Sequence, residues 1–275
     1  MTIAQKIIKY CALALAILLA VSIIGGIITA VSGLPLLFGG TVSGGAADGA
    51  DTGVLNSYAI DGAVSSVDIE LSAAQLRIKT GEGILVESNI GRLTAENDGG
   101  KLTVKDHSSF FSPSSPSGTV TLTLPRELEL EEVEIESGAG EVHIENLTAR
   151  SLSLDLGAGK TVLEGVRVSR RTDIDGGAGK LSILGGELAG LEFDMGAGEA
   201  ELSCRLSGSC RIDQGIGSLG LILTGSRKDY RILLEQGVGK ISLEGEAVSD
   251  GVYGSGANEI EIDGGIGSIK VGFSE

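Results

Sequence analysis

Between residues 133 and 271 apolar side chains recur at every second position, and seven times this alternation is broken by a Gly-x-Gly triplet. The triplets are Gly138-Ala139-Gly140, Gly157-Ala158-Gly159, Gly177-Ala178-Gly179, Gly196-Ala197-Gly198, Gly215-Ile216-Gly217, Gly237-Val238-Gly239 and Gly265-Ile266-Gly267. The first five start 19 or 20 residues apart and the last two steps are 22 and 28. With the first glycine of each triplet as position 0, position −3 holds Ile135, Leu154, Ile174, Phe193, Ile212, Leu234 and Ile262. Position +4 holds Val142, Thr161, Leu181, Ala200, Leu219, Ile241 and Ile269, and +6 holds Ile144, Leu163, Ile183, Leu202, Leu221, Leu243 and Val271. A period of two with one apolar side is strand spacing with one face buried. Each repeat thus reads as two short strands meeting at a glycine corner, where the missing Cβ permits positive φ and close approach of neighbouring coils.

A period near 19–20 residues marks a stacked architecture in which no single unit can bury its own apolar face. The expected fold class is all-β, a β-solenoid resembling a parallel β-helix, with the columns at −3, +4 and +6 forming aliphatic ladders inside. An aromatic content of 3% without tryptophan suits such a narrow core.

The N-terminal pattern is different. Residues 10–47 carry no charge, and Cys11 to Val31 is almost wholly apolar. As a helix these residues would span about 31 Å, close to a hydrocarbon core of ~30 Å. A cleaved signal peptide is the rival, but its apolar stretch is usually shorter and ends at a small-x-small site. The reading is an uncleaved signal anchor within residues 1–38. Lys6 and Lys9 before it, against Asp48 and Asp51 after it, leave the N-terminus cytoplasmic and export the remainder. Residues 39–56 read as a Gly/Ala-rich linker and 57–275 as the solenoid, with 57–137 its irregular cap coils and 138–275 its Gly-x-Gly coils. Within the cap, alternating runs such as 67–71, 75–79, 101–105 and 120–125 are strands, and Ser112-Pro113-Ser114-Ser115-Pro116-Ser117-Gly118 is a surface loop.

The leucine-proline strand end Leu124-Pro125, followed by Val133-Glu134-Ile135-Glu136-Ser137-Gly138-Ala139-Gly140 and further Gly-Ala-Gly coils, resembles the bacterial "putative adhesin" family of unknown function. The resemblance covers roughly residues 57–275. It implies a β-solenoid on the outer face of a bacterial membrane, often in envelope-stress gene neighbourhoods, and carries over no catalytic residue.

Charge changes the functional picture. The chain is −16 overall, and because residues 1–40 contribute only two lysines, the exported part carries −18. That excludes a nucleic-acid partner, which needs a basic footprint, and flat contact with an anionic membrane. Position −2 is acidic in every repeat: Glu136, Asp155, Asp175, Asp194, Asp213, Glu235 and Asp263. Like charges ~4.8 Å apart repel by about 1 kcal/mol even in water. Compensation is expected from turn N–H groups or from Lys160, Lys180 and Lys240 at +3. The sharper alternative is a calcium cage from Asp173, Asp175, Glu192 and Asp194 on two adjacent coils, with Arg211 on the next coil placed to neutralise it.

Other motifs dissolve on inspection. Residues 154–161 imitate a phosphate-binding loop, but Leu154 replaces its first glycine and a strand follows where a helix must. Gly176-Gly177-Ala178-Gly179 lacks the aspartate of the calcium-binding nonapeptide, since Leu181 stands there. His107 and His143 are the only histidines and no metal-ligand spacing occurs, so neither catalysis nor a cofactor is expected. Cys11 falls in the anchor; Cys204 and Cys210 bracket a turn, either as a disulfide or as two buried thiols. Two function classes remain. One is a non-catalytic surface module for binding, adhesion or scaffolding, whose partner is a glycan, cell wall or membrane protein of the envelope. The other is a regulatory subunit sensing envelope stress through a membrane partner.

Overall fold

The computed structural model describes residues 55–107 and 118–274. The anchor expected at 11–31, most of the linker and the loop 112–117 lie outside these residues. Among the described residues no helix is long and apolar enough to cross a membrane.

Eight long strands stack in parallel, each running through a corner as one hydrogen-bonded unit and not as two short strands. They are β2 (Ser66–Gly81), β7 (Glu129–Glu145), β8 (Thr148–Glu164), β9 (Arg167–Ala189), β10 (Leu191–Ser207), β11 (Ser209–Thr224), β12 (Tyr230–Leu243) and β15 (Asn258–Ser274). The register aligns Gly140, Gly159, Gly179, Gly198, Gly217, Gly267 and Gly239 in one column. All residues in the expected −3, +4 and +6 columns are 6% exposed or less. The aliphatic ladders of the sequence are therefore the core.

The glycine requirement is steric. At Gly179, with φ +146°, a Cβ would lie 1.9 Å from the carbonyl oxygen of Gly159 on the preceding coil. The corner backbones touch, and only a residue without a side chain allows that contact.

Two features depart from the sequence expectation. First, the stack has an eighth corner without glycine: β2 pairs with β7 so that Ala73 and Ala74 oppose Ala139 and Gly140. On the far side of β2, β5 (Lys101–Asp106) pairs with residues 66–70 and β6 (Gly118–Pro125) with residues 74–81. On that side no described residue pairs with 71–73, and Ala74, in register with Gly140, pairs with Gly118. The region read as irregular cap coils thus begins with a regular coil, flanked by β1 (Asn56–Ala59), β3 (Leu85–Ser88) and β4 (Leu93–Asp98).

Second, the coils do not stack in chain order. The order is β2-β7-β8-β9-β10-β11-β15-β12, with the last coil inserted between the two before it. The long final step of 28 residues contains the reason. β13 (Glu246–Val248) and β14 (Gly251–Gly254) fold back antiparallel on the outer edge of β12, covering residues 241–243 and 231–234. Covering the terminal edge this way blocks edge-to-edge pairing. With that edge closed, β15 takes the slot between β11 and β12, bonded to both. The step of 22 holds a 3₁₀ turn, Arg227–Asp229, with a reciprocal capping box between Ser226 and Asp229.

Candidate functional site

Each coil presents one outward face before its corner and another after it. Before the corner, the acidic column is continuous and longer than the repeat count implied. In stack order it reads Glu70, Glu136, Asp155, Asp175, Asp194, Asp213, Asp263, Glu235. Glu70 was hidden because Ser72-Ala73-Ala74 carries no glycine. The signal available was the flanking alternation, with Ile69 at −3 and Leu76 and Ile78 at +4 and +6. Beside this ladder lies a second outward column, Asp68, Glu134, Ser153, Asp173, Glu192, Arg211, Glu261 and Leu233.

The compensation comes from arginine, and at the first coil from lysine. Arg211 reaches Asp213 (3.0 Å), Glu261 (2.9 Å) and Asp263 (3.0 Å), an ion-pair fork spanning two coils. Its hydrogen bond with Asp213, then the neighbouring carboxylates, raise the guanidinium pKa above its already high value. Lys101 holds Asp68 at 2.8 Å, and Lys105 holds Glu70 at 2.5 Å. The lysines expected to serve the ladder lie on the other side of the corner. Lys180 pairs there with Glu199 (3.4 Å) and Glu201 (3.1 Å).

In the middle of the ladder, Asp175 and Asp194 are registered neighbours, and no ion pair among the described residues engages either. Burial raises the pKa of both. For Asp175 the charges of Asp173, Asp155 and Glu192 raise it further; for Asp194 those of Asp213, Asp175 and Glu192 do so.

The calcium candidate is brought together as the spacing implied: Asp173 opposes Glu192 and Asp175 opposes Asp194. Arg171, which the sequence reading did not weigh, bridges Asp173 (2.8 Å) and Glu192 (3.1 Å). Among the described residues no group of three or more His, Cys, Asp or Glu is arranged to hold a metal ion.

The second face is chemically milder. Its outward columns mix Lys, Glu, Ser, Gly and a few aliphatics. Arg77 donates to Glu145 through Nε (3.1 Å) and Nη2 (2.7 Å), which holds that carboxyl below its ordinary range. His143 sits between Glu145 (3.7 Å) and Glu164 (3.5 Å). His107 contacts the Thr94 hydroxyl at 3.2 Å. Cys204 and Cys210 are both buried free thiols, and burial pushes Cys204 up to about 12. Such a thiol is chemically inert at neutral pH.

An open groove of about 370 Å³ lies against the start of the ladder, lined by Glu70, Glu136, Asp155 and Asp106, and two further cavities lie elsewhere among the described residues. Inside the corner, a void of about 30 Å³ lies where Gly176 offers no side chain beside Met195 and Phe193. At the C-terminal end, an open cleft of about 800 Å³ runs between the Gly237–Ser242 segment and residues 245–250. Neither gathers a nucleophile, a base and an oxyanion donor.

A parallel stack of coils with glycine corners, a continuous acidic face and no catalytic constellation among the described residues defines a repeat protein built around surface, not pocket. The chain belongs to the Toastrack DUF4097 family, whose model matches residues 56–262. Three solved structures are similar to it. A "putative cell adhesion protein" from Clostridium sporogenes is 13% identical with a TM-score of 0.41, covering 80% of this chain and 99% of its own. A "putative adhesin" from Bacteroides fragilis is 14% identical with a TM-score of 0.34, covering 79% and 96%. A "putative lipid binding protein" from Parabacteroides distasonis is 14% identical with a TM-score of 0.33, covering 81% and 96%. No curated protein matches the chain.

Proposed function

We propose that this protein is a membrane-anchored, extracytoplasmic binding module without catalytic activity, which holds an extended component of the cell envelope against a flat face of its stack. The observation that carries the reading is the registered acidic face. Eight carboxylates stand in one line about 34 Å long at the strand spacing. A repeating, rigid surface suits a repeating or elongated partner, whereas a small molecule needs concavity. The partner class is a glycan, the cell wall or a membrane protein. The apolar stretch at residues 11–31 supplies the anchor, with the N-terminus cytoplasmic.

The test is a pull-down of the full chain, in mild detergent, against fractionated bacterial envelope. Retention on the wall fraction, reduced by the triple variant D155N/D175N/D194N, supports the module. Stoichiometric capture of one membrane protein with no wall retention favours a sensory subunit instead. Equal retention of parent and triple variant on every fraction overturns the role of the acidic face.

A further inference from the structure

We infer that the open cleft beyond the last coil binds an acidic sugar, whose carboxylate or phosphate lies between Lys240 and Lys270. Both lysines line the cleft, together with Ser242 and Ser268. These four residues form a registered block on the last two coils of the stack: Lys240 opposes Ser268, and Ser242 opposes Lys270. Ile241, Leu243, Ile269 and Val271 alternate with them and are buried, so all four side chains share the outward face. The lysines stand on one diagonal of the block, with Cα atoms about 8 Å apart by strand geometry. Two flexible ammonium groups at that separation can meet on one oxyanion, and the hydroxyls on the other diagonal can donate to it.

What sets this pair apart is the lack of a carboxylate beside it. Lys180, at the repeat position of Lys240, is in register with Glu199 and forms ion pairs with Glu199 and Glu201. Lys240 is in register with Ser268, and Lys270 with Ser242 and Gly220. On the outer side Ala247 opposes Ser242. No ion pair among the described residues engages either lysine. Glu244, in the turn that follows β12, is held by Arg227 at 2.8 Å. Asp250 does line the cleft, but it accepts the Gln236 N–H at 3.1 Å, ahead of the corner, whereas both lysines follow it. In a chain of −16, an unmatched pair of cations attracts anions at short range and leaves the distant field repulsive.

The backbone favours a ligand rich in hydroxyls. The last carbonyl of each corner from Gly140 to Gly267 is covered by a glycine of the next coil. Gly239 ends that relay, because β12 is outermost. β14 covers residues 231–234 and β13 covers 241–243, and no described strand pairs with 235–240 on that side. Gly237 and Gly239 line the cleft, and by the repeat their carbonyl oxygens face it as acceptors. The walls are held in place: Tyr253 donates its hydroxyl to the Ser249 carbonyl at 2.5 Å, and Gln236 Nε2 donates to the Gly267 carbonyl at 2.9 Å. A cleft of about 800 Å³ has the volume of a small-molecule site. The inference goes beyond the proposed envelope partner and does not use the acidic ladder, so either can fail alone.

The experiment uses the full chain in mild detergent and ligand-observed saturation-transfer NMR, with glucose-6-phosphate, glucuronate and glucose as probes. Glucose-6-phosphate or glucuronate should bind saturably, and the tighter of the two tells phosphate from carboxylate. Glucose should bind at least about tenfold more weakly than the better acid. K240Q and K270Q should each weaken that acid by about fivefold or more, and K240Q/K270Q should abolish its saturation. A247F, which fills the space beside Ser242 and keeps both lysines, should abolish it too. K160Q, whose lysine lies on β8 in register with Glu141, should bind as the parent does. Far-UV circular dichroism identical to the parent confirms that each variant is folded. No saturable binding of either acid overturns the inference, as does glucose binding as tightly as the acids. Unchanged binding in K240Q/K270Q or in A247F also overturns it, and so does equal weakening by K160Q and K240Q/K270Q.

Discussion

Gly179 and Gly176 stand three residues apart on β9 and meet opposite surroundings. At Gly179 a Cβ would strike the Gly159 carbonyl at 1.9 Å in a backbone of φ +146°. At Gly176 the nearest atoms are the Asp194 carbonyl oxygen at 3.6 Å and Met195 Cγ at 3.7 Å, and φ is not positive. Gly179→Ala should therefore destabilise by roughly 3 kcal/mol or more, through steric overlap and strain together. Gly176→Ala should be neutral or stabilising by about 0.4–1 kcal/mol, because it restricts the unfolded chain and fills part of the void. Urea titration of both variants separates the two cases, and equal destabilisation would refute the stacked-corner account.

Asp175 and Asp194 set a second expectation at this scale. Their folded pKa values are raised, so the native state binds protons before the unfolded chain does. They oppose folding at neutral pH, and that opposition fades as pH falls from neutrality through the raised values. D175N and D194N should each raise Tm at pH 7 by about 1–2 °C, a modest shift because water screens the ladder. The gain should shrink toward zero at the ordinary carboxylate range. A gain that grows on acidification would contradict the cause assigned to the shifts.

Strand order is the lesson of the element scale. The inward columns, the corners and the acidic ladder were legible in the sequence, because a period of two around a fixed glycine leaves one register that buries the apolar side. The order of the last two coils was not legible. Every coil offers the same corner and the same aliphatic columns, so β12 and β15 fit against β11 equally well by pattern alone. What decides is the hairpin-like return of β13 and β14, whose short strands carry little periodic signal. Arg171 was hidden for a related reason: it interrupts an outward column, where nothing constrains the pattern, whereas Arg211 was already visible as a cation on the coil beside the carboxylates. The corner of β2 was missed because Ser72-Ala73-Ala74 carries none of the glycines that mark the other seven. Truncation after residue 257 tests the order. It removes β15, the one long parallel neighbour of β12, so amides of residues 230–243 should lose hydrogen-exchange protection along with the hairpin. Coils stacked in chain order would lose only the final strand, leaving β12 protected.

The whole molecule divides its labour between two broad surfaces joined by one aliphatic interior. One surface concentrates negative charge and the other is nearly balanced, so contacts made on one leave the other free. Salt should act differently on the two. Raising ionic strength from about 0.05 to 0.5 M shortens the Debye length from roughly 14 to 4 Å, which relieves repulsion along the ladder. Thermal stability should therefore rise with salt, by more in the parent than in D155N/D175N/D194N. A parent whose Tm is indifferent to salt would show that Arg171, Arg211 and the lysines of the first coil already neutralise the column.

The methyl groups at the first corner also bear on how such a protein stays finite. A cylinder of identical layers is prone to join end to end into an endless fibre. Ala74 carries the side chain that every later corner omits, and β5 and β6 flank it where another molecule's last layer would have to dock. At the opposite terminus β13 and β14 obstruct the approach. Growth is arrested at both poles, and the number of layers is written into the gene.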